Sequence, residues 1–292
     1  MLRLGFACVA AFCMLAAPAF AEDVGLRTTP LALDGKDAAR TEVGRLRWRG
    51  GIAIASDSRR FGGLSGMLIE DGGKRLLAVS DVSHWFRAEL QYDAAGNLVG
   101  VSGGALDQMV DEAGKPLGHG READAESLTR LPDGRLLVGF ERIHRVLSYP
   151  AGHELGGFGL AGKPLRLASP PGLDASPDNE GMEALATLPD GRVLAISENL
   201  AAGEGLVRAW LGTARGQEFD WRPLAYRIVP PFQPTGAAAL PNGDVIVTER
   251  TFNPIEGVRV RVVRLRFASI APDAVLETEE LARLIAPVIT EN

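Results

Sequence analysis

Acidic side chains recur at matching places along this chain. Glu126 and Glu141 lie on either side of one tight turn, and Glu183 and Glu198 lie on either side of another with the same spacing. Like charges placed opposite each other destabilise a pair of strands. We therefore expect a cation, an arginine or a shared proton beside each pair of acids.

Further acids stand at corresponding places in two looser copies of the pattern. Hard oxygen ligands in such number suit Ca²⁺ or Mg²⁺ rather than a soft metal. We expect Ca²⁺ as the cofactor. The predicted metal ligands are Asp81, Glu126, Glu141, Glu183, Glu198 and Glu249.

Two arginines each directly follow one of these acids. Their planar guanidinium groups would bind the phosphate or carboxylate of a small phosphorylated or ester substrate. A bound divalent ion could polarise a phosphoryl or acyl oxygen and activate water. The candidate catalytic residues are Glu126, Arg142, Glu183, Glu198 and Arg250.

Acid–arginine neighbours also have a purely structural interpretation, because salt bridges at strand ends can tie one repeat to the next. Recurrence favours this role, since a catalytic group is needed once and a structural one in every repeat. Other catalytic signals are weak. There is no Gly-x-Ser-x-Gly elbow, and the four histidines show no zinc-like spacing.

The acids belong to a repeated hairpin, in which two apolar runs flank an Asp-Gly or Asn-Gly turn. The turn glycines Gly73, Gly134, Gly191 and Gly243 are separated by 61, 57 and 52 residues. A period of this size with several short strands per unit is typical of β-propeller blades. The first strand of each blade lines the central channel and the second returns beside it, so the acids would ring one mouth. We predict an all-β fold, a β-propeller with five or six blades in a complete chain.

Other segments complete the predicted architecture. Two early strands are expected to close the ring as its outer strand, and one amphipathic helix is expected near the C-terminus. The early strands are Arg45–Trp48 and Gly51–Ala55, further strands are Glu89–Tyr92, Arg145–Tyr149, Leu206–Leu211 and Arg259–Phe267, and the helix is Thr278–Ala286.

Residues 1–21 have the features of a secretory signal peptide, with Arg3 before an apolar stretch and Ala19-Phe20-Ala21 as a cleavage site. The stretch is too short to span a bilayer. Cys8 and Cys13 both lie in it, so the mature chain would contain no thiol. We expect a periplasmic or secreted protein with no membrane insertion after the leader is removed.

Composition limits the partners. The formal charge of −6 becomes −7 when Arg3 leaves with the leader, and the chain has no basic tract. Nucleic acid and anionic membranes are therefore not expected partners. With 46% apolar residues, residues 22–292 can bury a full core as one domain, which we expect to be monomeric.

Several motifs together resemble the phytase-like family of secreted bacterial proteins, described as "esterase-like activity of phytase". The resemblance runs from about Phe61 to the C-terminus and implies a propeller of hydrolase type. The motifs are Phe61-Gly-Gly-Leu-Ser-Gly66, Ala78-Val-Ser-Asp81, Asp124-Ala-Glu-Ser-Leu128, Phe140-Glu-Arg142, Asn179-Glu-Gly-Met-Glu-Ala-Leu185, Leu240-Pro-Asn-Gly-Asp244 and Thr248-Glu-Arg250.

The chain departs from that family in two ways. It lacks the Asp-Asp-Pro-Ala run of calcium-dependent propeller phytases, which argues against phytate as the substrate. It also stops at Ile289–Asn292, where family members continue with another blade, so we expect a C-terminal truncation. Three functions stay open: a metal-assisted phosphoester or ester hydrolase, a non-catalytic propeller that binds a ligand or partner, and a lactonase-like sugar-acid hydrolase.

Overall fold

The computed structural model describes residues 22–151, 162–216 and 218–288. The predicted leader with its two cysteines, and the C-terminal segment Ile289–Asn292, lie outside these residues. The described chain consists of 22 strands and three short 3₁₀ helices. In chain order the strands are β1 Glu22–Asp23, β2 Leu26–Pro30, β3 Glu42–Val43, β4 Leu46–Arg47, β5 Ile52–Ser56, β6 Leu64–Glu70, β7 Arg75–Ser80, β8 His84–Tyr92, β9 Leu98–Gln108, β10 Ala125–Arg130, β11 Leu136–Phe140, β12 Arg145–Tyr149, β13 Leu165–Arg166, β14 Ala184–Thr187, β15 Val193–Gly203, β16 Leu206–Arg215, β17 Glu218–Arg227, β18 Gln233–Ala239, β19 Val245–Asn253, β20 Gly257–Leu265, β21 Val275–Leu276 and β22 Glu279–Leu284; the helices are Asp71–Gly73, Leu173–Ala175 and Phe267–Ser269.

Four sheets form the blades of a β-propeller, which confirms the predicted fold class. Blade 1 has the strand order β6-β7-β8-β9-β1, blade 2 β10-β11-β12-β13, blade 3 β14-β15-β16-β17-β21 and blade 4 β18-β19-β20-β22. The first strand of each blade contacts the first strand of the next blade: β6 contacts β10, β10 contacts β14, and β14 contacts β18. They therefore line the central channel. The described residues thus hold four blades.

Buried apolar clusters set the position of each blade against the next. Trp85 of blade 1 and Tyr149 of blade 2 pack edge to face, with ring centroids 5.0 Å apart, in the cluster between those blades. Trp210 lies in the cluster between blades 2 and 3, and Val247 in the cluster between blades 3 and 4. Because interiors are close-packed, these contacts hold the inner strands at fixed distances.

The hairpin turns are longer by one residue than the Asp-Gly turn that the sequence suggests. The Leu188 N–H donates to the Arg192 carbonyl at 2.7 Å, and the Gly191 N–H donates to the Leu188 carbonyl at 2.9 Å. Gly191 has a φ of 83°, as in a type I turn followed by a left-handed residue. The loop centres on Asp190, so the strand register moves by one residue.

The early segment was predicted to form the outer strand of a blade, and this prediction is wrong. Strand β2 pairs with β5, and β3 pairs with β4, as two separate small sheets. Leu26 and Ile54 pack on the apolar cluster of blade 1, whereas Val43 and Trp48 pack on blade 4. This N-terminal layer therefore contacts both the first and the last blade. Strand β1 supplies the outer strand of blade 1 instead.

The predicted helix Thr278–Ala286 is wrong, because this segment contains the edge strand β22. Val260 of β20 lies opposite Leu284, and Arg264 lies opposite Glu279. An isolated helix of this length is marginal in water. Pairing with an open sheet edge satisfies more of the backbone hydrogen-bonding groups than one or two helical turns would. The other predicted strands are confirmed within β8, β12, β16 and β20, except that β20 ends at Leu265 and Phe267 begins the third 3₁₀ helix. None of the helices in the described residues could cross a bilayer.

Gly66 controls the approach of the inner strands of blades 1 and 2. A Cβ atom at this position would lie 2.5 Å from the Leu128 backbone nitrogen and 2.7 Å from the Ser127 carbonyl carbon. Both neighbours are backbone atoms, which cannot move aside as a side chain can. Only glycine therefore permits this spacing.

We expect Gly66→Ala to lower the free energy of unfolding by about 2 kcal/mol, because the added methyl group forces the two strands apart. Urea denaturation measures the change. Gly118→Ala is the matched control, since a Cβ there meets no atom within 4 Å. Equal stability of the two variants would contradict the close approach.

Candidate functional site

Five acids meet where the inner hairpins of blades 2 and 3 end at one mouth of the channel. Carboxylate oxygens of Asp124, Glu126 and Glu141 can all lie within 4.8 Å of one another, and so can those of Glu141, Glu183 and Glu198. Glu141 belongs to both groups. We call these five residues the acid cluster.

Sequence reasoning found four members of the acid cluster but missed Asp124. The signal was present, because Asp124 and Glu126 have the i, i+2 spacing that puts side chains on one face of a strand. Asp124 is buried. Its backbone carbonyl also accepts a hydrogen bond from the Glu141 N–H at 2.9 Å, which holds the two acids side by side.

The shifted register offsets the acids of each hairpin. Ala184 lies opposite Ile196, so Glu183 and Glu198 are displaced by one residue rather than directly opposed. Glu126 lies at a bulge in β10, where the pairing with β11 is interrupted. Both pairs still end at the same mouth, as predicted, and the offset reduces direct opposition between the charges.

Gly181 connects the two groups of acids. Its N–H donates to a carboxylate oxygen of Glu141, and its carbonyl accepts from the Glu198 N–H at 2.9 Å. A Cβ at this position would lie 2.7 Å from Nδ1 of His144 and 3.3 Å from Cγ of Glu141. The absence of a side chain lets blade 3 approach the Glu141 carboxylate.

Burial is the main cause of strongly raised pKa values in the acid cluster. Burial raises the pKa of Glu183 to about 10, and the charges of Glu126 and Glu141 add to the effect. Burial likewise raises the pKa of Glu126 to about 8, while a hydrogen bond from Ser65 opposes the rise. Burial raises the pKa of Glu198 to about 7.

Shared protons relieve part of the repulsion. The carboxyl groups of Glu183 and Glu141 interact directly, which requires a proton between them because two carboxylates cannot hydrogen-bond to each other; burial first and this contact further raise the pKa of Glu183. A hydrogen bond with Asp124 raises the pKa of Glu126 in the same way. The acid cluster therefore retains protons at neutral pH unless a cation replaces them.

The two candidate arginines lie beside the acid cluster. Arg142 forms an ion pair with Asp124, and its side chain is 44% exposed. Its φ of 56° is uncommon for a residue with a side chain. Arg250 lies on β19 of blade 4, and its charge lowers the pKa of Glu198 against the larger opposite effect of burial.

Asp81 lies at the edge of the acid cluster. Its pKa is raised by burial and by the charge of Asp124, and the charge of Arg142 opposes the rise. Asp81 is in neither of the two close groups of the described residues. It approaches from blade 1, since it directly follows β7.

Glu249 lies apart from the acid cluster, in the interface between blades 3 and 4. It is fully buried, accepts a hydrogen bond from the Tyr226 hydroxyl at 2.7 Å and forms an ion pair with Arg261. Arg261 also contacts Glu280 at 2.8 Å. The Tyr226 hydroxyl comes from blade 3 and connects Glu249 to the neighbouring blade, whereas Arg261 and Glu280 belong to blade 4, as Glu249 itself does.

The donor set of the acid cluster fits a hard divalent cation. All five candidate ligands are carboxylates, which are the ligands that Ca²⁺ and Mg²⁺ prefer. A cation would also supply the positive charge that these buried, mutually repelling groups lack. No histidine joins either close group in the described residues, so the arrangement does not resemble a typical zinc site.

Comparison with known proteins identifies one family. The profile described as "Phytase-like: Esterase-like activity of phytase" matches residues 59–291. No curated protein matches the chain.

Solved structures with a similar course of the chain include three with low sequence identity. A gluconolactonase from Xanthomonas campestris is 16% identical, with a TM-score of 0.45, covering 81% of this chain and 68% of its own. Virginiamycin B lyase from Staphylococcus aureus is 8% identical, with a TM-score of 0.39 and coverages of 87% and 88%. A β-propeller domain from Myceliophteria thermophila is 12% identical, with a TM-score of 0.40 and coverages of 90% and 75%. At TM-scores this low we draw nothing about function from them.

The raised pKa of Glu183 predicts how stability depends on pH in metal-free buffer. Between its ordinary value of 4.5 and about 10, the folded protein binds more protons than the unfolded chain. The free energy of unfolding should therefore fall as pH rises through this range. In Glu183→Gln we expect a gain on the order of 2 kcal/mol at pH 9 and little change at pH 4.

Urea denaturation at several pH values, with EDTA present, measures this dependence. Glu204→Gln is the control, because Glu204 is exposed. Parallel stability curves for the wild type and Glu183→Gln would show that Glu183 is ionised in the folded protein.

Glu249 should matter for stability but not for the acid cluster. Replacing Glu249 with Gln leaves the buried Arg261 charge with a weaker partner, so we expect a loss of about 3 kcal/mol in the free energy of unfolding. Glu256, which is exposed and pairs with the partly buried Arg259, gives the control Glu256→Gln, with an expected change below about 1 kcal/mol. A Glu249→Gln protein that is as stable as this control would refute a stabilising role for the buried ion pair of Glu249 with Arg261.

Proposed function

The chain belongs to the phytase-like family, and from that membership we propose that it is a secreted hydrolase that cleaves small ester or phosphoester substrates at the acid cluster. A divalent cation, with Ca²⁺ as the first candidate, assists the reaction. The observation that carries the proposal is the convergence of five carboxyl groups at one mouth of the channel. Propellers bind small ligands at such mouths because several blades contribute side chains there.

The cation would be held by the two groups that share Glu141, with Asp124 and Glu126 on one side and Glu183 and Glu198 on the other. When bound, a divalent cation supplies a Lewis acid for the substrate oxygen. Its ligands must lose their protons, so cation affinity should rise with pH through the raised pKa values of Glu126 and Glu183.

Glu198 would act as the proton acceptor when the cation is held by the other group, Asp124, Glu126 and Glu141, which does not include it. Its pKa of about 7 matches the pH at which a general base is most effective. In this role a carboxylate oxygen of Glu198 would take the proton from an attacking water. Arg250, whose charge acts on Glu198, would hold an anionic group of the substrate beside it.

The non-catalytic alternative also has support from specific contacts. The hydrogen bond from Gly181 to Glu141 connects blades 2 and 3, and the ion pair of Arg142 with Asp124 ties the end of β11 to the start of β10. These contacts would stabilise the ring without any ligand. Metal binding and turnover together distinguish the two functions.

Calorimetric titration of the secreted form of the chain with Ca²⁺ tests the proposal. We expect a dissociation constant of roughly 10⁻⁶ to 10⁻³ M, weakened more than tenfold in the double variant Glu183→Gln, Glu198→Gln. Turnover of p-nitrophenyl acetate and p-nitrophenyl phosphate should depend on the cation and fall about 10²-fold to 10⁴-fold in the same variant.

The double variant Glu42→Gln, Glu204→Gln makes the same change in charge at exposed sites and should behave as the wild type does. A folded protein that neither binds Ca²⁺ nor turns over either substrate would establish the acid cluster as a tie between blades. Turnover that persists in EDTA would remove the cation from the proposal.

A further inference from the structure

The backbone of Arg142 is held in the left-handed conformation beside the acid cluster. Its N–H donates to the Asp178 carbonyl at 2.8 Å, and its carbonyl accepts a hydrogen bond from the Arg121 guanidinium at 3.3 Å. The same guanidinium also donates to the Asp178 carboxylate at 2.6 Å. A residue with a side chain keeps a positive φ only where the surrounding contacts hold it. The backbone of Arg142 is therefore fixed, and its side chain is the part that can move.

The ion pair of Arg142 with Asp124 joins a buried oxygen to an exposed guanidinium. The side chain of Asp124 is 6% exposed, against 44% for that of Arg142. Within the described part of the chain, Oδ2 of Asp124 receives no hydrogen bond of good geometry, although Nε of Arg142 is its ion-pair partner. A buried carboxylate oxygen without directed donors is poorly satisfied. This oxygen therefore remains open to a better partner.

The same carboxylate belongs to a group that can hold a cation. Carboxylate oxygens of Asp124, Glu126 and Glu141 lie within 4.8 Å of one another. A divalent ion among them would repel the guanidinium, because like charges at short range are unfavourable. The carboxylate of Asp178 is already bonded to Arg121. Arg142 therefore has a partner in Asp124 only as long as the cation is absent.

Resting on the proposed function, we propose that Arg142 is an internal counter-ion that leaves Asp124 when a divalent cation binds, and that its released guanidinium then binds an anionic group of the substrate. In the metal-free protein Arg142 neutralises Asp124. After the exchange its backbone stays in place and its side chain turns toward solvent at the mouth. The substrate class is thus one that carries a carboxylate or phosphate group, and the site accepts it after the cation.

The exchange is confined to blade 2 and the segment that leads into blade 3. Arg121 and Asp124 precede β10, Arg142 follows β11, and Asp178 precedes β14. A guanidinium that is already partly exposed needs only a side-chain rotation to reach a ligand. Its planar fork of donors matches the oxygens of a carboxylate or a phosphate.

Calorimetric titration of the secreted form of the chain with Ca²⁺ tests the exchange. In Arg142→Gln we expect Ca²⁺ to bind about fivefold to tenfold more tightly than in the wild type, because the competing charge is gone. Glutamine keeps a Cβ, so the strain at positive φ is unchanged. The control is Arg121→Gln, which removes the same charge at the same mouth from a partner outside the acid cluster. Its Ca²⁺ affinity should change by less than about twofold.

Titration with phenylphosphonate, which has no ester bond to cleave, tests the released guanidinium. In the wild type we expect binding to be at least about tenfold tighter with Ca²⁺ than in EDTA, and phenylphosphonate should tighten Ca²⁺ binding by the same factor. With Ca²⁺ bound, Arg142→Gln should bind phenylphosphonate about tenfold more weakly than the wild type. In EDTA the two proteins should bind it equally weakly.

Arg142→Lys is a second variant that keeps the positive charge if Arg142→Gln fails to unfold cooperatively in urea. With Ca²⁺ bound it should still bind phenylphosphonate more weakly than the wild type, because an ammonium group lacks the planar fork. Equal affinity of this variant and the wild type would contradict the role of the guanidinium.

The sign of the change in Ca²⁺ affinity decides the proposal. Unchanged or weaker Ca²⁺ binding in Arg142→Gln would overturn it, since Arg142 would then be a support of the site. Equal tightening in Arg121→Gln would overturn it as well, by showing a general effect of charge. Absence of Ca²⁺ binding in both the wild type and Arg142→Gln would remove the exchange together with the cation.

These outcomes differ from failure of the proposed hydrolase. Tighter Ca²⁺ binding in Arg142→Gln, without turnover of p-nitrophenyl acetate or p-nitrophenyl phosphate by the wild type, would keep the exchange and lose the reaction. Turnover that depends on Ca²⁺, with equal Ca²⁺ affinity in the wild type and Arg142→Gln, would keep the reaction and lose the exchange.

Discussion

The burial of mutually repelling carboxyl groups is the constraint on which the site depends. Five acids lie close together at one channel mouth, and burial raises the pKa of most of them. Such an arrangement is costly in isolation, because buried charges need partners. It persists because the apolar clusters between blades 1, 2 and 3 hold the backbone in place. Shared protons and one ion pair reduce the electrostatic repulsion between the carboxyl groups. A divalent cation would reduce it further.

Much of the fold could be predicted from the repeated hairpins, because the pattern of apolar run, glycine turn and apolar run is local. The exact register could not be. A loop of Pro189, Asp190 and Gly191 contains the same Asp-Gly pair as a shorter turn, and only its hydrogen bonds distinguish the two. The secondary structure of the β22 segment was also ambiguous. Its apolar residues have helical spacing, and the sequence does not reveal that an open sheet edge is available for it to pair with.

The part of the site that lies at the ends of the hairpin strands was predictable from the sequence. Glu126, Glu141, Glu183 and Glu198 meet because hairpins of equal design lie side by side in consecutive blades. The space of about 410 Å³ between blades 1 and 4 could not be anticipated in this way. It depends on side chains of the first and last blades, which are far apart in sequence, and on an N-terminal layer that contacts both blades.

Glu249 shows how equivalent positions acquire different roles. It lies six residues after its turn glycine, close to the position of Glu141 and Glu198 relative to theirs, but the third strand of blade 4 presents Arg261 directly opposite. That guanidinium and the Tyr226 hydroxyl satisfy the carboxylate within the protein. In blade 2 the nearby Arg145 instead donates to backbone carbonyls, among them that of Ile143 at 3.0 Å. Glu141 therefore has no arginine from its own third strand. The partner on the third strand thus decides whether a repeated acid is paired within its own blade or remains available to protons, cations and ligands.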